Sequence, residues 1–362
     1  MWSFEFSLMV FLIIVFVSNA LSVISRGRLS LQLILGVICI LGFGLNILDH
    51  SFAANSKLVE VGFIAFNVLI IHSGTMVDFK MLGRESKVVL VAVITMFGMS
   101  VFMVVLSKLM SAPFGLLSAG PLLGGGATAA ITSVITLDIN PRLAMFPWLI
   151  FMTQSLLSVP IVKWAARRSS FNKNEDLHVK EEKKGVNPFK IPAYYLGVLM
   201  VGAVLNQYLH SIIDIPLHTS VTALILGIIL GHVGLIERAP LRKSDSFGLL
   251  MLGLMSLLVH TLSKTPIEGL IRMLGPLVII LITSTVFLVL MGVLISKFLK
   301  IDIYRCLIII FSSMIGYPMW IGIVKSLDPK LEGELMRIMS ITSIVLVNGL
   351  SIIVTSLMML II

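Results

Sequence analysis

The sequence predicts an all-α polytopic membrane protein, with about ten full transmembrane helices plus two broken or re-entrant segments in two inverted repeats. Three observations predict it: a composition poor in charge, a succession of apolar stretches each near the length of one bilayer crossing, and two weak points in corresponding places. Of 362 residues, 57% are hydrophobic and 12% charged, and the mean hydropathy is +1.06. A soluble domain of this length carries about a quarter charged residues to cover its surface, so lipid must be the solvent here. A β-barrel would show alternating strands of about ten residues, whereas these apolar runs are continuous.

Apolar stretches fall at 7–25, 31–48, 58–77, 88–109, 121–137, 143–163, 192–213, 217–236, 246–263, 273–296, 306–326 and 338–362. Each is close to the twenty or so residues that a helix needs to cross the hydrocarbon core. The first has Glu5 and no basic leader, and Arg26 and Arg28 follow it, which favours a retained span over a cleaved signal. Cys39 and Cys306 both lie in apolar runs and suit packing, not a disulfide framework or a metal site.

Twelve full crossings would put Lys80, Arg84 and Lys87 on the opposite side from the basic loop at 163–190. If 111–140 and 303–330 each enter and leave on one side, ten crossings remain and the conflict disappears. Of the 27 basic residues, 22 then face the cytoplasm, leaving Lys57, Lys108, Arg142, Lys264 and Arg272 outside. This is the asymmetry expected of a membrane protein, and it accounts for the net charge of +9 without nucleic acid. The expected location is the bacterial cytoplasmic (inner) membrane, with both termini outside.

The same two segments have compositions that break helices: Gly124–Gly126 in the first, Gly316 and Pro318 in the second. His72-Ser73-Gly74-Thr75 recurs as His260-Thr261-Leu262-Ser263, and Leu137-Asp138 as Leu327-Asp328. Matched interruptions of this kind mark many secondary transporters. The expected division is an N-terminal helix over 1–30, a first repeat over 31–163 and a basic cytoplasmic loop over 164–191. A connecting helix over 192–216 and a second repeat over 217–362 follow.

No catalytic triad, phosphate loop or metal-spaced cluster is present. The candidate ion- or substrate-binding residues surround the breaks: Gly125, Gly126, Thr128, Thr132 and Ser133, with Gln154 in the following span. Ser312, Ser313 and Asn348 are their counterparts in the second half. A broken helix exposes carbonyls, which suit a dehydrated sodium ion, and a positive N-terminal end, which suits a carboxylate. The competing reading of these hydroxyls is ordinary interhelical hydrogen bonding. His72, Asp78 and His260 are candidates for gating or proton-linked roles, since ionisable groups near membrane depth are functional candidates.

Gly74-Thr75-Met76-Val77-Asp78-Phe79 and Gly234-Leu235-Ile236-Glu237-Arg238, with Pro318-Met319 and Asn348 further on, resemble motifs of one family. That family is the beta subunits of sodium-translocating biotin-dependent decarboxylases, which act on oxaloacetate, methylmalonyl-CoA or glutaconyl-CoA. The resemblance runs from about residue 60 to the end and implies a carboxybiotin-driven sodium pump with biotin-carrier and carboxyltransferase partners. Gly125-Gly126-Ala127-Thr128-Ala129-Ala130-Ile131 occupies the place of the family's Gly-Gly-Ala-Asp-Gly-Pro-Thr stretch, so Thr128 stands where the resemblance implies an aspartate. Cys306, Ile315 and Gly322 stand where it implies Asn, Ser and Arg.

A neutral hydroxyl cannot exchange protons near neutral pH. The expectation is therefore a sodium-coupled secondary transporter moving a small organic anion such as a carboxylate, with no covalent cofactor and no metal beyond sodium. A divergent decarboxylase subunit is the alternative, and a homo-oligomer is open under both.

Overall fold

The computed structural model describes residues 2–25, 29–77, 79–169, 191–213, 218–237, 240–315, 335, 338 and 350–360. All regular structure among them is helical. The helices are α1 (Phe4–Ile24), α2 (Leu31–Gly44), α3 (Phe52–Asn55), α4 (Leu58–Thr75), α5 (Phe79–Arg84), α6 (Ser86–Met110) and α7 (Phe114–Ile139). After a 3-10 turn at Pro141–Leu143 come α8 (Phe146–Thr153), α9 (Ser155–Arg168), α10 (Pro192–Ile212) and α11 (Thr219–His232). The rest are α12 (Pro240–Lys243), α13 (Phe247–Ser263), α14 (Ile267–Leu299), α15 (Ile303–Ser312) and α16 (Ser351–Met359).

Seven described segments are long and apolar enough to cross a membrane, so the chain is a multi-pass helical membrane protein. The packing agrees. On α14 the outward stripe is apolar, with Ile271, Leu274, Val278, Ile282, Val286, Leu290, Leu294 and Phe298 all exposed. Ser284 and Ser296 are buried on its inner face. A water-soluble helix would carry the opposite pattern.

Three expected spans come out short. Helices α2, α11 and α13 have 14, 14 and 17 residues, about 21–26 Å against a core of about 30 Å. The stretch at 143–163 is two helices, α8 and α9, meeting at Gln154. Helix ends follow local chemistry. Ser30 accepts from the Leu33 amide (3.1 Å) and donates to the Met152 carbonyl (3.1 Å), capping α2 while tying it to α8.

Close approach through glycine organises the interior. Helix α4 lies between α11 and α13. A Cβ on Gly227 would sit 2.1 Å from the Ile71 carbonyl oxygen, and one on Gly62 would sit 2.4 Å from that of Gly253. Where lipid is as apolar as leucine, such backbone-to-backbone contact is what holds helices together.

Two pairs of helices run antiparallel. His72, near the end of α4, has its ring 6.2 Å from Phe247 at the start of α13, while Gly62 meets Gly253 and Leu257 further along. Phe102 of α6 stacks on Phe287 of α14 with ring centroids 4.3 Å apart, and Gly98 meets Met291. Several helix starts also recur at nearly the same interval. Phe4 and Pro192, Leu31 and Thr219, and Phe52 and Pro240 are 188 residues apart. Leu58 and Phe247, and Phe114 and Ile303, are 189 apart.

Helix α7 is the exception to straight geometry. Its 26 residues would span about 39 Å if unbroken. Yet Phe114 at its start packs on Phe146 beyond its end, with centroids 4.6 Å apart. Phe114 also shares a pocket with Asn140, Arg142 and Leu143. Its length alone would let it cross a membrane, but its two ends lie near each other, so the segment doubles back on itself.

Candidate functional site

The turning point of α7 is Gly125, whose backbone (φ 69°, ψ −149°) is non-helical in the middle of the segment. This is a region open to glycine and strongly disfavoured for any residue with a Cβ. The hydroxyl of Thr128 donates to the Gly125 carbonyl at 2.9 Å and to the Gly120 carbonyl at 3.1 Å. Eight residues along a straight helix are about 12 Å apart, so the second bond exists only because the chain folds back. Thr128 has no exposed surface, and its single proton is committed within the break. Only its lone pairs remain for a ligand.

Helix α16 closes the other side. A Cβ on Gly120 would fall 1.7 Å from the Thr355 hydroxyl oxygen, and one on Gly124 would fall 2.5 Å from that of Ser351. Gly120 and Gly124 are one helical turn apart, as are Ser351 and Thr355, so two matched ridges interlock. Thr355 Oγ1 is buried without a hydrogen-bond partner. Neither Ser351 nor Thr355 stands out in the sequence taken alone. The signal was the GxxxG spacing at 120–124 facing a hydroxyl pair at the same spacing.

The other residues singled out from sequence divide by whether their donors are spent. Thr132 donates to the Thr128 carbonyl at 2.8 Å, Ser312 to that of Ile309 at 2.9 Å and Ser313 to that of Ile310 at 2.6 Å. These are bonds to the preceding turn, as the ordinary reading of membrane hydroxyls expects. Ser133 Oγ and Gln154 Oε1 are buried with no partner. Gln154 stands at the α8–α9 joint, and Ser155 and Ser158 on α9 are likewise unpartnered. A buried polar atom with no bond costs about 1–3 kcal/mol, so several such atoms in one interior ask for a reason.

Helix α15 stops at Ser312, and turn bonds from Met314 to Phe311 and from Ile315 to Ser312 follow. Ser313 and Met314 are 189 residues beyond Gly124 and Gly125. Gly316, Pro318, Asp78 and Asn348 lie outside the described residues. Gly126 faces the Phe151 ring at 3.0 Å from a virtual Cβ, so it serves packing.

The two histidines sit at opposite ends of the α4–α13 pair. His72 accepts the Leu241 amide at 3.4 Å through Nδ1, which joins the end of α4 to α12. His260 leaves Nδ1 without a partner. Neither histidine is placed at the α7 break. Among the described residues no group of three His, Cys, Asp or Glu gathers to hold a metal; the side-chain oxygens shown at the break are the neutral hydroxyls of Thr128, Ser351 and Thr355. No protein-family model matches the chain, and no curated protein matches it.

Proposed function

We propose that the chain is a secondary transporter that carries a small organic anion across the membrane by alternating access, driven by sodium. The observation that carries this reading is the interruption of α7 at Gly125 inside a fully packed interior. The first half of the hairpin ends in carbonyls and the second begins in amides at the positive end of its dipole. Carbonyls, the lone pairs of Thr128 and the unpartnered Thr355 hydroxyl suit a dehydrated sodium ion. The amides suit a carboxylate.

Two inverted repeats supply the mechanics. Five pairs of helices start 188 or 189 residues apart, and α6 and α14 end 189 apart, at Met110 and Leu299; of these, α4 with α13 and α6 with α14 run antiparallel. Neighbours match as well: α7 packs on α16 as α15 packs on α9, and α4 on α11 as α13 on α2. Antiparallel equivalents need an odd number of crossings per unit. Helices α1, α2, α4, α6 and the α8–α9 pair give five when α7 returns on its own side, hence ten in all. In this reading α1 and α10 are equivalent first helices, packed on α2 and α11 in turn. The units then start at Phe4 and Pro192, rather than leaving α1 detached and α10 as a connector.

Carboxybiotin decarboxylation needs a proton carrier at the site, and the break offers Thr128. Asp138 is ten residues further along the helix, about 15 Å away. The test is uptake of labelled carboxylates into proteoliposomes. Sodium should stimulate it, and Thr128→Val, which removes the hydroxyl bonds to the Gly120 and Gly125 carbonyls and the lone pairs offered to the ion, should lower it about tenfold or more. No sodium dependence for any carboxylate, or robust turnover of carboxybiotin by the unmodified chain, would overturn the proposal.

A further inference from the structure

We infer that the pocket at the base of the α7 hairpin is a loading site for a small carboxylate, distinct from the break and nearer the outer surface. The inference rests on the transporter reading. The pocket has a volume of about 570 Å³, within the range that holds small ligands. Arg142, just past the end of α7, and Arg272, in the second turn of α14, both line it, with Asn140 and Glu268. Phe114 and Leu143 give it an apolar wall.

Three features point to an anion. Both arginines are solvent-exposed, and no described ion pair or hydrogen bond engages either guanidinium. Each guanidinium offers a planar fork of donors that matches a carboxylate. The pocket also receives the start of α14, a 33-residue helix whose N-cap is Pro266 and which no side chain caps. The positive dipole end of α14 therefore lies beside the same space. Third, the charge distribution leaves five basic residues outside, and the two arginines among them converge on this one pocket.

With Glu268 counted, the lining carries one net positive charge, which matches a monocarboxylate. Asn140 accepts the Arg142 amide through Oδ1 at 3.3 Å, and its Nδ2 amide group remains a donor. From here to Gly126 the second half of α7 is about 20 Å long, so an anion held at the base waits roughly half a bilayer from the break.

Arginine footprinting tests this on the full chain in nanodiscs, where both faces are open to reagent. Phenylglyoxal adducts at Arg142, Arg272 and the comparison residue Arg84 are followed by mass spectrometry with and without lactate. At about ten times its half-protecting concentration, lactate should slow modification of Arg142 and Arg272 together by about tenfold, leaving Arg84 unchanged. No protection, protection of one arginine alone, or equal protection by chloride would overturn the inference. Protection without uptake of any carboxylate would keep the site and remove the transporter reading. Uptake without protection would do the reverse.

Discussion

Gly125→Ala is the most direct probe of the break. Alanine must adopt φ 69°, ψ −149° or the hairpin must change its turn. Holding a Cβ-bearing residue in a glycine-only region costs about 1–3 kcal/mol. Taking about 2 kcal/mol, the folded-back arrangement loses some 30-fold against any straighter alternative. Apparent Tm in detergent should fall by roughly 3–6 °C. Gly275→Ala is the control: it lies inside α14 with open space around its virtual Cβ, and should be neutral or up to about 1 kcal/mol stabilising. Thermal unfolding followed by tryptophan fluorescence reads both variants. A second readout is a disulfide engineered between Phe114→Cys and Phe146→Cys, whose rings now lie 4.6 Å apart. If Gly125→Ala keeps both its Tm and its cross-linking yield, the break does not depend on glycine and the reasoning fails.

Three further outcomes follow from the same geometry. Gly120→Ala drives a methyl onto the Thr355 hydroxyl and should cost about 1–3 kcal/mol. Adding Thr355→Ala should recover part of that loss, and strict additivity in the double-mutant cycle would refute the contact. Asp49 accepts from the Ser51 amide (2.8 Å) and hydroxyl (2.7 Å), which hold its carboxyl below the usual range. Its contribution to stability should be whole above the ordinary pKa of about 4 and fade as pH falls through the lowered one. Asp49→Asn should flatten that acid limb in a Tm-against-pH series. Finally, a reporter fused at Asn174 should read cytoplasmic, because the loop at 163–190 holds eight basic residues; an external reading would reverse the topology.

Composition and apolar run length settled the solvent and the secondary structure, because a chain with so few charges has no way to cover itself in water and only helices satisfy their backbone in lipid. The glycine triplet at 124–126 marked where α7 breaks, since backbone preference is local. The spacing of His72 to His260 foreshadowed the 188-residue interval of the helix starts. What the sequence left undecided is long-range. That Thr128 reaches back to Gly120, that Ser351 and Thr355 stand opposite Gly124 and Gly120, and that Arg142 and Arg272 line one pocket depend on which helices meet. Helices α2, α11 and α13 are shorter than the apolar runs that marked them, because an apolar run does not reveal where its helix ends. Thr132, Ser312 and Ser313 look alike on paper as candidate ligands. Only the fold shows their protons spent on the preceding turn, while Ser133, Gln154 and Thr355 keep theirs or their lone pairs free. A hydroxyl's availability is set by its neighbours in space, and those neighbours are chosen by tertiary packing.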